Sequence, residues 1–282
     1  MTKKQTLRIA FISNKGGSTR SSSLTNIAGI LANEYKQKLL LGDFDEQSNL
    51  KTLFGVRFSE AEGGMGSILT QGIDPLNMTV KVRDNIDLIV SGGRLIREFE
   101  RNFGNSPDNE TILQKRFSSV KNTYDFELFD TSPSLNLIHT NLAFYADYLI
   151  LTTTPDLLGF IGVKSAIAFV ETLKKHYPNR KIAKVLGVIC GAFDPRRNLD
   201  LDVLEDLKRL ETNDLLLGGK IFSPIRHDIK VKTSQVKRKT VTEAFPNTKA
   251  SIDFREVVKE ILEEIDLKEL SQQRHKPLEV QI

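Results

Sequence analysis

Residues 13–22 read Ser13-Asn14-Lys15-Gly16-Gly17-Ser18-Thr19-Arg20-Ser21-Ser22. They follow an apolar run, Leu7 to Ile12, and precede a stretch in which Leu24, Ile27, Ala28 and Leu31 fall at i, i+3, i+4 and i+7. That spacing puts one apolar stripe on a helix starting near Arg20, so the order is strand, glycine-containing loop, helix. A turn between a strand and a helix N-terminus presents unpaired backbone N–H groups, and glycines let an anion approach them closely. A polyphosphate suits such a loop, with Lys15 and Arg20 adding charge at two points and the Ser21 hydroxyl offering an oxygen to a bridging Mg²⁺. By itself, a Gly-Gly turn beside a lysine is equally well a plain surface turn.

Working outward, short apolar runs alternate with segments of helical period: Leu39 to Asp43, Ile86 to Val90, Phe126 to Asp130, Tyr148 to Thr153 and Val185 to Cys190. This alternation predicts an α/β fold with a mostly parallel central sheet flanked by helices on both faces. Phe254, Val257, Val258 and Ile261 repeat the helical spacing, with acids on the opposite side, and predict a closing helix docked on the sheet. Gly92 to Glu110 reads as a helix followed by a surface loop, and Gly64-Met65-Gly66 as a turn. With no internal repeat and no Pro/Ser-rich linker, residues 1–271 are expected to form one domain and residues 272–282 a flexible tail.

A length of 282 residues, 39% hydrophobic and 27% charged, describes a packed globular protein and excludes disordered or collagen-like classes. The one cysteine, Cys190, excludes an intrachain disulfide framework and a Cys-based zinc cluster; it reads as a small buried hydrophobe in a reducing compartment. His139, His176, His227 and His275 have no metal-like spacing and read as surface or packing residues. There is neither a signal-peptide core nor an apolar run near the roughly 18 residues of a membrane span, so a cytoplasmic protein is expected.

Two strand ends carry acids. The second strand runs into Asp43-Phe44-Asp45-Glu46-Gln47, and the Phe126 strand into Asp130-Thr131-Ser132-Pro133-Ser134. Carboxylates at the C-terminal ends of parallel strands converge on the crevice where open α/β sheets bind ligands, the edge that also carries the glycine loop. Each acid alone would read as a strand-end cap; three beside a phosphate loop read as a site.

On these residues the chain resembles the ParA-type partition ATPases of the MinD/ParA group of P-loop NTPases, from about Leu7 to about Ile265. Lys15 to Ser21 is similar to the deviant Walker A motif Lys-Gly-Gly-x-Gly-Lys-Thr/Ser, Asp43 to Gln47 to Asp-x-Asp-x-Gln, and Asp130 to Ser134 to the Walker B stretch. Phe193-Asp194-Pro195-Arg196-Arg197-Asn198, Ile225 to Lys230 and Pro246 to Ala250 resemble later family segments in the same order.

The resemblance implies that ATP is cradled by Asn14, Lys15, Gly16, Gly17, Ser18, Thr19, Arg20, Ser21 and Ser22. It implies Mg²⁺ held through Ser21, Asp43 and Asp130, with Asp45 positioning the hydrolytic water. Lys15 is the implied signature lysine that reaches a partner's phosphates in an ATP-bound homodimer. Lys15, Asp45 and Arg20 are then the catalytic set. A ParB-like centromere-binding protein is the implied stimulator, and the implied location is the nucleoid.

Two positions depart from the motif. Thr19 stands where the family has Gly, and a β-branched residue tolerates poorly the backbone that Gly allows. Arg20 stands where the family has the Walker lysine, and a planar guanidinium demands different oxygen geometry from a compact ammonium. Weak ATP hydrolysis is the expectation, and a nucleotide-binding but hydrolysis-deficient DNA-binding scaffold stays open beside it. Gly42 and Ser132 are milder departures.

The net charge is +4. Residues 226–240 hold Arg226, Lys230, Lys232, Lys237, Arg238 and Lys239 against Asp228 alone, so the excess sits in one late segment and the rest is near neutral. Lysine and arginine neutralising phosphates give sequence-independent, salt-sensitive affinity for DNA. On charge alone a solvated basic face explains the segment. The family resemblance makes Arg196, Lys230, Lys232, Lys237, Arg238 and Lys239 candidates for nonspecific DNA contact. A MinD-like membrane-cycling ATPase is the nearest alternative, but it needs a terminal amphipathic helix with a basic face, and Glu256 to Leu270 is acid-rich.

Overall fold

The computed structural model describes residues 5–17, 19–57, 63–104 and 108–274, of which 267–274 as backbone. In chain order the elements are β1 (Leu7–Ile12), α1 (Arg20–Asn33), β2 (Leu39–Asp43), α2 (Asn49–Phe54), α3 (Gly64–Gln71), β3 (Val80–Arg83), β4 (Ile86–Ile89), α4 (Arg94–Phe103) and α5 (Ile112–Arg116). They continue as β5 (Phe126–Asp130), α6 (Leu137–Tyr145), β6 (Tyr148–Thr153), α7 (Leu157–His176), β7 (Lys184–Cys190), α8 (Asn198–Thr212), β8 (Lys220–Ile221), α9 (Ile229–Val236), α10 (Val241–Ala244) and α11 (Lys249–Arg274).

Among the described residues, eight strands form one sheet in the order β3-β4-β2-β5-β1-β6-β7-β8. All pairings are parallel except β3 against β4. The six strands read from the sequence are present. β3 and β8 are additional; both lie at sheet edges.

The central strands are buried and largely apolar at consecutive positions because both faces are covered. Ile9, Phe11, Leu39, Leu41, Phe126, Leu128 and Ile150 point into the core beneath α1 and α11. Ala10, Ile12, Leu40, Phe129, Leu149 and Leu151 point into the core beneath α3 to α8. Gly42 faces that second core where Phe129 and Met65 leave no room for a side chain. Cys190 is buried in it, and burial pushes its thiol up to about 12.

The closing helix docks as expected through Phe254, Val257, Val258 and Ile261. It begins earlier than Glu256 and runs on through Arg274, into the stretch read as a tail; residues 275–282, with His275, lie outside the described residues. Gly64-Met65-Gly66 is not a turn: it opens α3, with Met65 buried. Arg94–Phe103 is helical as read, and part of the loop expected after it, 105–107, lies outside the described residues. Among the described residues no helix is long and apolar enough to cross a membrane.

Because β1, β2, β5, β6 and β7 run parallel, their C-terminal ends share one edge. The loop residues 13–17, 44–48, 131–136, 154–156 and 191–197 therefore meet there.

Candidate functional site

The loop after β1 turns on itself through Ser13, whose hydroxyl accepts from the Lys15 amide (3.2 Å) and donates to the Lys15 carbonyl (3.1 Å). Gly17 follows at φ 75°, a conformation that suits glycine. Thr19 sits at the N-cap of α1 at φ 61°, ψ 10°, with no side-chain cap, and the first turn of α1 holds no acid. The Thr19 Oγ1 is buried, has no hydrogen-bond partner among the described residues, and is pressed toward Gly191. The helix start therefore carries open N–H groups facing the strand-end loops. Ser18 lies outside the described residues.

Arg20 does not point into open space. It is 7% exposed, with Nε 2.7 Å from Asp130 Oδ1 and Nη2 3.3 Å from Asp45 Oδ2. The Ser21 hydroxyl donates to the other Asp130 oxygen at 2.5 Å. Asp43 and Asp130 sit opposite each other in the β2–β5 register and are both fully buried. Asp43 accepts from the amides of Asp45 (2.9 Å) and Leu50 (3.1 Å), which fixes the start of α2. Burial, then the facing Asp130, hold the Asp43 carboxyl well above its ordinary range. Burial raises Asp130 too, opposed by Arg20 and Ser21. Asp45 accepts from the Gln47 amide (3.0 Å) and from Asn49 (3.4 Å).

Lys15 is held elsewhere: its Nζ lies 2.7 Å from both oxygens of Asp156 and 3.3 Å from Thr154 Oγ1. Asp156 also caps α7 by accepting from the Gly159 amide (2.9 Å). The sequence reading missed Thr154 and Asp156. The signal was available, since Thr152-Thr153-Thr154-Pro155-Asp156 is a polar strand end followed by an N-cap residue on the same sheet edge.

A cleft of about 370 Å³ is lined by Lys15, Gly16, Gly17, Thr19, Arg20, Ser21, Ser22, Asp45, Gln47, Asn49 and Pro133. A second of about 150 Å³ shares Thr19 and Ser22 with it and is walled by Gly191, Ala192, Ile225, His227, Val231, Lys232 and Phe254. Asn14 is exposed and is not among the residues lining either cleft. His139 is a buried packing residue on α6, edge-on to Phe169, and burial lowers it to about 3.

The late basic residues come together on α9 and the turn after it. Lys230 and Lys237 both lie over the Phe245 ring, 4.9 and 4.8 Å from its centroid. Lys232 borders the second cleft. The Arg238 side chain crosses Gly55 after α2, and its carbonyl accepts from Arg83 (2.6 Å). Lys239 donates its amide to the Ser234 carbonyl. Arg196 sits before α8, 86% exposed, and its guanidinium is committed to Asp194 (2.9 and 2.8 Å). A parallel bridge between Phe193 and Arg226 brings that loop beside the start of α9. Arg226 itself is neutralised by Asp253 of α11 (2.7 Å).

The family profile described as AAA domain matches residues 6–184. A ParA family protein of the Chlamydia psittaci virulence plasmid, pGP5-D, is 28% identical over 90% of this chain and 93% of its own length. The sporulation initiation inhibitor protein Soj of Bacillus subtilis is 25% identical over 71% of this chain and 78% of its own. Among solved structures, a single-residue variant of Cyanothece McdA in complex with ATP superposes with a TM-score of 0.80 at 17% identity, covering 93% of this chain and 96% of the other. A plasmid partition protein of Borrelia burgdorferi bound to AMPPNP gives 0.73 at 22%, covering 93% and 99%. Both structural likenesses are likenesses of fold.

Proposed function

The chain belongs to the AAA-domain family, among the ParA-type partition ATPases, and from that membership we propose that it is an ATP-gated DNA partition switch. The observation that carries the reading is the start of α1. It has no side-chain cap and no acid in its first turn, and it is fronted by Gly16 and Gly17, where an added Cβ would touch nothing within 4 Å. An open helix N-terminus behind a glycine turn favours a phosphate chain.

The strand-end donors also fit a divalent cation, since the Ser21 hydroxyl and the Asp43 and Asp130 carboxylates are hard oxygen ligands of the kind Mg²⁺ takes. When bound, that ion neutralises charge on the phosphates. The nucleoside end is assigned to the neighbouring cleft, whose Ile225, Val231 and Phe254 offer apolar surface. Asp45, on the loop beside the phosphate cradle, orients the attacking water. Lys15 leaves Asp156 and reaches the partner's phosphates in an ATP-bound homodimer.

In the proposed cycle the dimer binds nonspecific DNA through Lys230, Lys232, Lys237, Arg238 and Lys239, with Arg196 at the margin, and so associates with the nucleoid. A ParB-like partner stimulates hydrolysis and releases it. Turnover is weak, because Thr19 holds a left-handed backbone and Arg20 replaces the lysine of the motif. Single-turnover hydrolysis with Mg²⁺ tests this: the natural chain should outpace Asp45→Ala, and equal background rates would remove the enzyme.

One observation favours a second reading, a nucleotide-binding scaffold that does not hydrolyse. Arg20 is committed to the Asp45 carboxylate that would orient water. Tight nucleotide binding with no turnover, even with DNA and partner present, would establish it.

A further inference from the structure

Arg20 uses a planar fork that a lysine lacks. Its fork reaches two carboxylates from different strand ends at once, Nε to Asp130 at 2.7 Å and Nη2 to Asp45 at 3.3 Å, while almost completely buried. The Ser21 hydroxyl takes the remaining Asp130 oxygen at 2.5 Å. Asp130 and Asp45 are thus bridged by a cation that belongs to the chain itself, with Asp43 held beside them by the Asp45 and Leu50 amides.

We propose that Arg20 is an internal stand-in for the divalent cation, holding the acids together before nucleotide arrives and exchanged for Mg²⁺ when phosphates bind, so that nucleotide and Mg²⁺ enter as an obligate pair. This rests on the nucleotide reading given above and adds a regulation of the same site.

The physical grounds are these. The two carboxylates that Arg20 bridges, Asp130 and Asp45, are 0% and 6% exposed, and Asp43 faces Asp130 across β2 and β5. Withdrawing the guanidinium from among buried carboxylates leaves uncompensated charge, which is strongly unfavourable. Arg20 can therefore turn toward phosphates only if another cation replaces it at Asp130. While Arg20 stays, a free metal ion meets a guanidinium and not an open acidic cluster. An ammonium at this position is a compact point charge on a flexible stem, so it would hold the two carboxylates less rigidly and give way more easily, because it lacks the planar fork.

Two measurements on the full chain test the exchange. Mn²⁺ is titrated into nucleotide-free protein and followed by the electron paramagnetic resonance of the free ion. A fluorescent ATP analogue is then bound in Mg²⁺ and in EDTA. The natural chain should take up Mn²⁺ only together with nucleotide, and its nucleotide affinity should fall about a hundredfold or more in EDTA. Arg20→Gln should bind Mn²⁺ without nucleotide at least about tenfold more tightly than the natural chain, by the same uncompensated charge. Arg20→Lys should show a smaller EDTA effect.

Nucleotide-free Mn²⁺ binding that is equally tight in the natural chain and Arg20→Gln would overturn the proposal. So would an identical EDTA effect in the natural chain and Arg20→Lys. Thermal unfolding checks that each variant is folded, and Arg20→Lys, which keeps the charge, serves both arms if Arg20→Gln does not fold. No nucleotide binding under any condition would instead defeat the reading of the site, and the Mn²⁺ arm would still decide whether Arg20 holds the cation position.

Discussion

Lys15 and Asp156 face each other from the ends of neighbouring strands β1 and β6, with Nζ 2.7 Å from both carboxylate oxygens. One aspartate thus holds Lys15 and caps α7 through the Gly159 amide. The two roles separate by substitution. Asp156→Asn keeps a good capping side chain and removes the charge, so near neutral pH it should lower the melting temperature by the lost ion pair alone, less than Asp156→Ala, while lowering the protein concentration at which ATP-dependent dimers form. Asp156→Ala also loses the cap, worth about 1 kcal/mol or roughly 2–4 °C in a chain of this size. Scanning fluorimetry and light scattering read both, and indistinguishable variants would contradict the shared role.

The same carboxyl has a pH signature. Burial acts to raise it, but the bonds from Lys15, Thr154 and the Gly159 amide outweigh burial and leave it below its ordinary value. A depressed folded-state value gives stability that is present above the unfolded carboxylate pKa and lost as pH falls through the folded one. The melting difference between the natural chain and Asp156→Asn should therefore change only in the acid range, below about pH 4. A difference that instead changes between pH 5 and 8 would contradict the assignment.

Thr19 and Gly191 are fitted to each other. A Cβ on Gly191 would lie 2.3 Å from Thr19 Oγ1 and 3.0 Å from its Cβ. Gly191→Ala alone should destabilise the fold by about 1–3 kcal/mol through overpacking. Thr19→Gly removes the obstructing side chain and the left-handed strain at φ 61°, so adding Gly191→Ala to that background should cost much less. A denaturant double-mutant cycle measures the coupling, and additive effects would show that the contact does not matter.

Far from the nucleotide edge, Glu127 lies inside the sheet, accepting from Tyr145 at 2.7 Å with Arg8 at 3.6 Å. Burial pushes it up to about 7, against the pull of Tyr145 and Arg8. A raised folded-state value means stability fully present below the unfolded pKa of roughly 4.3 and lost as pH rises through 7. Glu127→Gln should therefore raise stability by about 1–3 kcal/mol at pH 8, with the gain shrinking toward pH 5. A gain that grew on acidification would have the wrong sign.

The basic helix makes a graded prediction. Removing a lysine that touches DNA phosphate reduces the salt dependence of binding by about one unit of log–log slope. Lys232→Ala and Lys239→Ala should each do so. Arg196→Ala should do less, because its guanidinium is committed to Asp194. Slopes unchanged in all three would return the segment to an ordinary solvated face.

The sheet and the acids were legible because both are written in residue type. The six strands read from the sequence are short, mostly apolar runs, and Asp43 and Asp130 end two of them, with Asp45 two residues beyond. Edge strand β3, Val-Lys-Val-Arg, is short and half-charged, and β8 has only two residues, too few for a period to register. The pairing of Lys15 with Asp156 depends on β1 and β6 being neighbours across the sheet, a contact 141 residues apart in sequence. Nor does a motif at position 20 tell which way a long cation turns; the fold, by burying Asp130 beneath it, decides that. The extent of the last helix shows the same limit, since acids cover its exposed face and say nothing of where it ends.

The most direct test of an ATP-gated switch is retention of the full chain on double-stranded DNA of mixed sequence, measured without nucleotide, with ADP and Mg²⁺, and with ATP and Mg²⁺. Gating requires retention in ATP and Mg²⁺ and little in the other two. Equal retention in all three states would contradict it.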